Sequence, residues 1–323
     1  MHGMANHVRD ALAWSGRRGA PLLAVGVFGG VLVPPLAAAL KPVITPSVVL
    51  LMLLVLMRVD LVRTLALVRR PGRALAIVVA LILACPVLCW MVLRVLPVDA
   101  SVAAAIVIVA TGPAATSSPA FARLVGLDAD LSLVATLVMV ALVPFTAPLI
   151  ALELLGIDLS LSTGAFMLRL LLVVGLPALL AVVLRRAAGP GRLHAWGPAL
   201  DGTVVWLCVL YGFAVMDGLA ARMAQDPAWV VQAILAAFIA SYGLNALTTL
   251  AFARWGVREA ASAGLMSGNR NMALFLAVLP ASTDPRITLF FGLYQFPLFL
   301  SPFLLRPAYR LLAARPASAR WSR

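Results

Sequence analysis

The sequence predicts an all-α membrane protein of ten transmembrane helices, and three observations lead to that prediction. Of the 323 residues, 63% are hydrophobic and only 11% are charged, and the mean hydropathy is +1.05. Soluble domains are about half apolar, so a water-soluble globule is excluded. The apolar residues form ten separate segments, most of them close to the roughly 20 residues that cross a hydrocarbon core. Basic residues collect at the ends of these segments.

The segments are joined by short connections, so one membrane domain accounts for nearly the whole length. They lie at about 21–40, 43–59, 74–96, 100–122, 131–154, 164–184, 199–219, 227–253, 260–280 and 286–312. We expect a cytoplasmic N-terminal segment at 1–20, a single transmembrane domain at 21–312 and a cytoplasmic tail at 313–323. The run that begins at Pro21 is too long for the apolar region of a signal peptide, so we expect it to be retained as a span.

The distribution of basic residues predicts the orientation of the helices. The chain has 25 Lys and Arg against 12 Asp and Glu, a formal net charge of +13. With the N-terminus inside, nineteen basic residues fall on the cytoplasmic side, five fall outside, and Arg270 alone lies in mid-span. The five outside are Lys41, Arg94, Arg169, Arg222 and Arg286. The positive-inside rule therefore predicts a multi-pass protein of a bacterial-type inner membrane with both termini cytoplasmic.

Two segments are interrupted by residues that oppose a continuous helix. In the fourth, Gly112, Pro113 and Pro119 break the stretch TGPAATSSPA. The ninth has five small or polar residues in mid-span: Ser267, Gly268, Asn269, Arg270 and Asn271. Irregular backbone persists at membrane depth only where it faces protein or a water-filled cavity. Because the two segments hold matching places in two five-helix halves of opposite orientation, they predict inverted repeats and a transporter's central site.

Residues 111–148, TGPAATSSPAFARLVGLDADLSLVATLVMVALVPFTAP, resemble the bile acid:sodium symporter family. That family has a break at the start of the second half of helix four, a turn before helix five, a threonine one helical turn later and a P-x-x-x-P step. The matching positions are Ser118, Ser132, Thr136, Pro144 and Pro148. Residues 51–86 are also similar to the second and third helices of the family.

This resemblance implies ten helices in two inverted five-helix repeats with discontinuous helices four and nine. It implies a core of helices three to five and eight to ten, and a panel of helices one, two, six and seven. The broken helices are expected to cross near the bilayer midplane, with the substrate in the cleft between core and panel. The function it implies is secondary active transport by alternating access, with a bile acid-like or other small organic acid as the solute.

The family's sodium ligands are only partly present in this chain. Three hydroxyl positions are retained: Ser118, Ser132 and Thr136. Pro119 stands at the asparagine position, the glutamine position is apolar near Leu81, and the glutamate position falls at Ala263 or Gly264. Loss of the carboxylate removes the negative charge that offsets the dehydration of a hard cation. We therefore expect weak or absent sodium dependence.

Arg270 is the centre of the functional prediction, because a permanently charged arginine within a span is rare. It is interpreted either as a fixed charge that binds an anionic substrate or stands in for sodium, or as a structural cation bonded to carbonyls of the broken fourth helix. Asn269 and Asn271 suit carbonyl capping and substrate hydrogen bonding alike. Ser117 and Ser118 either cap a half-helix or contact the substrate. We predict that these five residues bind the substrate.

Ser132 and Thr136 lie four residues apart, on one face of a helix. They are predicted to line the cavity and, with Ser118, to be ion ligands. The alternative is that their hydroxyls bond to the preceding turn of their own helix. The coupling ion itself, Na⁺ or H⁺, stays open, and no other cofactor or metal is expected.

Other functions are weighed against transport of an organic anion. Carriers of another solute class, such as arsenite-type or auxin-like efflux, share the broken-helix layout, and a membrane sensor also stays open. An enzyme is not expected, because the spans show no paired carboxylate, histidine cluster or activated nucleophile in the sequence. The expected partners are a small anionic solute and the lipid bilayer, with no nucleic acid; the sequence leaves the oligomeric state and the direction of transport open.

Overall fold

The computed structural model describes residues 2–59 and 71–314, which are almost entirely helical. In chain order the α-helices are α1 His2–Arg17, α2 Gly19–Leu32, α3 Pro34–Leu40, α4 Ile44–Arg58, α5 Pro71–Val79, α6 Cys85–Val95, α7 Ala100–Thr111, α8 Ser118–Leu124, α9 Ala129–Pro148, α10 Thr163–Ala214, α11 Leu219–Gln225, α12 Pro227–Ala251, α13 Val257–Gly268, α14 Ala273–Val278, α15 Pro285–Leu293, α16 Gln295–Leu304 and α17 Arg306–Ala314. A π-helical turn at Ala80–Ala84 joins α5 to α6, and another at Leu149–Leu154 extends α9.

Seven helical stretches in the described residues are long and apolar enough to cross a membrane. They are Pro34–Arg58, Pro71–Val95, Ala129–Leu154, Thr163–Gly189, Ala195–Gln225, Pro227–Ala251 and Pro285–Leu304. Leu168, Leu172, Leu176 and Leu179 form an exposed stripe at helical spacing on α10, as expected of a surface that faces lipid. The chain is therefore a multi-pass α-helical membrane protein.

The difference between these seven stretches and the ten predicted segments has a physical cause. The fourth segment is divided into α7 and α8 and the ninth into α13 and α14, so no piece of either reaches the length of a span. The first segment is shortened because α2 ends at Leu32. The other seven predicted segments each overlap one of the long stretches. Both predicted interruptions are confirmed.

The predicted boundary between the first two segments, at residues 41–42, is wrong. The turn lies instead at Val33, whose non-helical backbone (φ −124°, ψ 68°) separates α2 from α3. A residue before proline is driven out of the helical region, and Pro34 and Pro35 begin the next helix without losing a hydrogen bond. Lys41 lies in a single 3₁₀ turn within a helical stretch that continues to Arg58.

The described residues divide into two compact units. Along the chain, the first is bounded by Met1–Asp60, Leu168–Val230 and Ala273–Ala281, and the second by Leu61–Met167, Val231–Met272 and Ser282–Arg323. In the first unit, α2 packs closely on the part of α10 beyond its kink at Gly189. A Cβ at Gly26 would lie 2.7 Å from the Val209 carbonyl oxygen, so this helix contact requires glycine.

The second unit contains both interruptions, although α14, which follows the second one, belongs to the first unit. Every residue of α13 from Ala260 to Gly268 is buried, and Phe290, Phe291 and Tyr294 near the end of α15 are buried as well. The interruptions therefore lie in a tightly packed interior. The predicted tail at 313–323 lies, from residue 315 onward, outside the described residues.

Candidate functional site

The two interruptions meet inside the second unit as a short antiparallel crossing of the backbone. Ala114 and Arg270 form an isolated β-bridge. Two bonds flank it: the Ala115 N–H donates to the Asn269 carbonyl at 2.8 Å, and the Asn271 N–H donates to the Pro113 carbonyl at 2.9 Å. Each segment thus supplies partners for backbone groups that the other cannot satisfy within its own broken helix.

Arg270 lies at this crossing and is the largest fully buried side chain among the described residues, with 0% of it exposed. Its guanidinium donates to three main-chain carbonyls: Nε to Ser267 at 2.8 Å, Nη1 to Gly112 at 2.9 Å and Nη2 to Leu81 at 3.0 Å. Gly112 directly follows α7, and Ser267 is in the last turn of α13. The carbonyl ends of two helices, which carry negative partial charge, therefore face one cation.

The third carbonyl is available because the helix register changes beside it. In the π-helical turn Ala80–Ala84, the Cys85 N–H donates five residues back instead of to Leu81. The next residue, Pro86, has no N–H to donate. The Leu81 carbonyl therefore lacks a helical donor and accepts from Arg270. Insertions of this kind are frequent at functional sites.

No ion pair within the described residues involves Arg270. Its charge is balanced by carbonyl dipoles instead of a carboxylate. The side chain is fully buried, so a solute does not reach the guanidinium in this conformation. The geometry therefore shows a cation bonded to carbonyls, and in this conformation it does not favour direct contact of the guanidinium with an anionic substrate.

Hydroxyl and amide groups hold the residues that precede Arg270. The Gly268 carbonyl accepts from the Tyr294 hydroxyl at 2.8 Å and from Ser241 Oγ at 3.0 Å. The Asn269 side-chain amide donates to Ser301 Oγ at 2.8 Å. These bonds fix the end of α13 against α12, α15 and α16, so the crossing is rigidly supported.

Helix α13 approaches α12 at two glycines that are four residues apart. A Cβ at Gly264 would lie 2.5 Å from the Asn245 carbonyl oxygen and would also collide with Thr249 Oγ1. A Cβ at Gly268 would collide with the Ser241 carbonyl oxygen. The G-x-x-x-G spacing permits this close approach. Gly264, one of the two positions at which the resemblance places a glutamate, is therefore closed to a large side chain.

The predicted substrate residues differ in their accessibility. Asn269 is 1% exposed and Ser118 is 0% exposed. Ser117 and Asn271 are half-buried. Ser117 stands at the start of α8 without a side-chain capping bond, so the capping interpretation is not observed there. Ser118 Oγ is buried with no hydrogen-bond partner among the described residues. The substrate-binding role of these residues and of Arg270 stays a prediction.

The predicted ion ligands do not form a cluster. Ser132 Oγ donates to the Asp128 carbonyl at 2.8 Å, as the alternative interpretation expected, and Thr136 Oγ1 contacts Met266 Sδ at 3.9 Å. Among the described residues, no hydrogen bond links Ser118 with either of them. A sodium ion needs several oxygen ligands, whereas three carbonyls at the crossing already accept from Arg270. The residues present at the crossing do not fit sodium.

Several residues of the site were not predicted from the sequence. Tyr294 and Ser241 bond the Gly268 carbonyl, and Leu81 supplies a carbonyl to Arg270. Pro86 signals that a carbonyl one turn upstream lacks its helical donor, but the π-helical turn moves this carbonyl from Ile82 to Leu81. The two hydroxyls gave no comparable signal, since Tyr and Ser also occur in spans without such contacts.

The shared bonding of the Gly268 carbonyl leads to a test by double mutation. We expect Tyr294→Phe and Ser241→Ala each to lower stability by about 1 kcal/mol or less, because the other hydroxyl still satisfies the carbonyl. The double variant should lose more than the sum, because the buried carbonyl is then orphaned. Thermal unfolding in detergent measures this; strict additivity would contradict the shared bond.

A comparison with protein-family models gives no match, and a comparison with curated proteins gives no significant match. The resemblance to the symporter family therefore rests on the quoted residues, and the function has to be argued from the site.

Proposed function

We propose that this chain is a secondary active transporter that moves a small organic anion across the inner membrane by alternating access. The observation that carries the proposal is the buried crossing of two interrupted helices at Ala114 and Arg270. Unwound backbone inside a membrane protein is costly, and transporters use it to form ion and solute sites. A purely structural helix bundle has no need of two such breaks meeting at one point.

The architecture we propose is ten helices in two inverted repeats of five. The paired pieces α7 with α8 and α13 with α14 support it, because they fall in the fourth and ninth places of the chain. The second unit contains the segments expected for the core, apart from residues 227–230 and 273–281, and the first unit contains those expected for the panel, apart from residues 164–167. This agreement supports the division into core and panel that the resemblance implies.

The ion pairs agree with the order of the spans in the proposed topology. Lys41 pairs with Asp217 at 3.1 Å and Arg286 with Asp99 at 3.3 Å, and all four residues fall on its outer side. The inner side has its own pairs: Arg58 with Asp201, and Arg73 with Glu259. The pairs fit either orientation, so the proposed cytoplasmic placement of both termini is supported by the excess of basic residues on that side.

Preference for an anion follows from the charge of Arg270, which no carboxylate within the described residues neutralises. A cation without a carboxylate partner raises the local potential in a medium of low dielectric constant, so it favours an anionic solute without touching it. Asn271 and Ser117 are the groups we assign to direct solute contact, because both side chains are half-buried and Ser117 makes no capping bond. Ser118, with its buried unpaired hydroxyl, is available once the crossing opens.

Uptake into proteoliposomes tests this function. We expect the wild type to accumulate at least one member of a panel of small organic acids. The matching neutral amides should be taken up at about one tenth of that rate or below. Asn271→Ala and Ser117→Ala should lower the uptake of that acid about five- to tenfold, since each removes one solute hydrogen bond.

Thr146→Ala is the matched control, because the Thr146 hydroxyl donates only to the Leu142 carbonyl of its own helix. It should leave uptake unchanged. Equal uptake of acids and neutral amides would contradict the anion preference, and full activity of both site variants would contradict the assignment of Asn271 and Ser117.

A further inference from the structure

We infer that the Arg270 guanidinium is a built-in cation that takes the place of a mobile coupling ion at the crossing, so that this protein has no use for sodium there. This inference rests on the proposed transport function but concerns the ion requirement alone. Three observations lead to it: the ligand set around the guanidinium, its position between helix ends, and the closure of the glutamate position.

The groups around Arg270 are those that bind a cation. Three carbonyl oxygens from three separate parts of the chain, at Leu81, Gly112 and Ser267, lie within 3.0 Å of its nitrogens. Each of them is free because of a local irregularity, namely a π-helical turn, the end of α7 or the end of α13. Carbonyls released at unwound helices are also the ligands that carriers use for alkali cations.

The position of the charge fits the same role. The carbonyl ends of α7 and α13 converge on the guanidinium, and no carboxylate within the described residues neutralises it. Two helix dipoles directed at one point require a positive charge there, whichever group supplies it. A side chain supplies that charge permanently, whereas an ion has to be dehydrated in each cycle.

The closed packing at Gly264 removes the other requirement of a sodium site. Without space for a carboxylate between α13 and α12, a mobile cation has no formal negative charge to bind. The close contact and the arginine are therefore complementary features. The packing at Gly264 excludes an anionic ligand, and Arg270 supplies the positive charge that a mobile cation would otherwise bring.

Chemical rescue of Arg270→Ala tests the inference. The variant lacks an ethyl and a guanidinium group, so ethylguanidinium restores the missing atoms and the charge, and ethylurea is its neutral analogue. The purified full chain is unfolded thermally in detergent without solute. We expect the variant to melt below the wild type, and ethylguanidinium to raise its midpoint saturably by roughly 3 °C or more. Ethylurea should have no such effect.

Two controls accompany the rescue. Arg169→Ala removes an arginine that donates to a single carbonyl, that of Val278, and it should not respond to ethylguanidinium. The wild type should show the same midpoint in sodium and potassium at constant ionic strength. Equal effects of ethylurea and ethylguanidinium, no rescue of the folded variant, or a saturable stabilisation of the wild type by sodium would each overturn the inference.

A second pair of variants keeps the inference testable where Arg270→Ala does not fold. Arg270→Lys retains the charge with fewer donors, and Arg270→Met retains most of the volume without the charge. We expect the lysine variant to melt above the methionine variant, and the reverse order would overturn the inference. Because unfolding is measured without solute, failure of the inference is distinguishable from failure of the proposed transport.

Discussion

Arg270→Met is expected to destabilise the protein by about 2–5 kcal/mol, one of the largest effects of any single substitution. Methionine fills much of the volume but donates no hydrogen bond, so the carbonyls of Leu81, Gly112 and Ser267 are left buried and unpaired. Each orphaned group costs about 1–3 kcal/mol. Part of this is offset, because a buried charge no longer has to be dehydrated.

Tryptophan fluorescence during heating in detergent measures the effect, since the chain has 7 Trp. Arg169→Met is the matched control, because Arg169 is exposed and makes one carbonyl bond, with Val278. This variant should lower the free energy of unfolding by less than about 1 kcal/mol. An Arg270→Met protein that melts with the wild type would show that the three carbonyls have other partners.

Gly264→Glu is the second substitution with a large expected effect, and it restores the carboxylate at the family's glutamate position. We expect no stably folded protein, a loss of more than about 3 kcal/mol. The Cβ of the new glutamate would lie 2.5 Å from the Asn245 carbonyl oxygen. This oxygen belongs to the backbone, which cannot move aside as a flexible side chain can. Size-exclusion chromatography in detergent, with thermal unfolding of any monodisperse fraction, measures the outcome.

Two alanine variants separate the steric effect from the charge. Gly264→Ala should already lower the free energy of unfolding by about 1–3 kcal/mol, and with it the melting temperature. Gly243→Ala on α12 should be neutral or slightly stabilising, because a Cβ there meets nothing within 4 Å and alanine is the better helix former. A Gly264→Glu protein that folds as stably as the wild type would contradict the packing argument.

Much of the fold could be predicted because membrane helices are set by local composition. Prolines and glycines at 112, 113 and 119 predicted the break between α7 and α8, and the polar run after Gly264 predicted the break between α13 and α14. Apolar length predicted the long stretches. The first predicted boundary, at residues 41–42, is wrong because the Pro34–Pro35 pair decides the turn through the backbone of Val33.

The candidate site could be predicted only in part. Arg270 was identified from its position alone, since a mid-span arginine must meet carbonyls, a carboxylate or water. Which of these it meets depends on contacts more than 150 residues apart, such as the bond to Gly112 with a separation of 158. The Leu81 contact depends in addition on a shift of helix register that hydropathy does not reveal.

The hydroxyl positions of the resemblance show why residue type alone is insufficient. Ser132 matches the family pattern, but its hydroxyl is bonded to Asp128 in the preceding turn. Thr136 lies one turn on and contacts the sulfur of Met266. The same residues in the same register line an ion site only if neighbouring helices supply the remaining oxygens. Here the neighbouring helix α13 presents mostly small and apolar residues, and the guanidinium of Arg270 lies just beyond its end.

Solute uptake by wild-type proteoliposomes in media that differ only in the cation tests the central claim most directly. The outside medium contains sodium, potassium or choline, and ionic strength and membrane potential are held constant. We expect uptake of the organic acid at the same rate in all three media. A rate that rises saturably with sodium would contradict it, because a mobile cation would then be required in addition to Arg270.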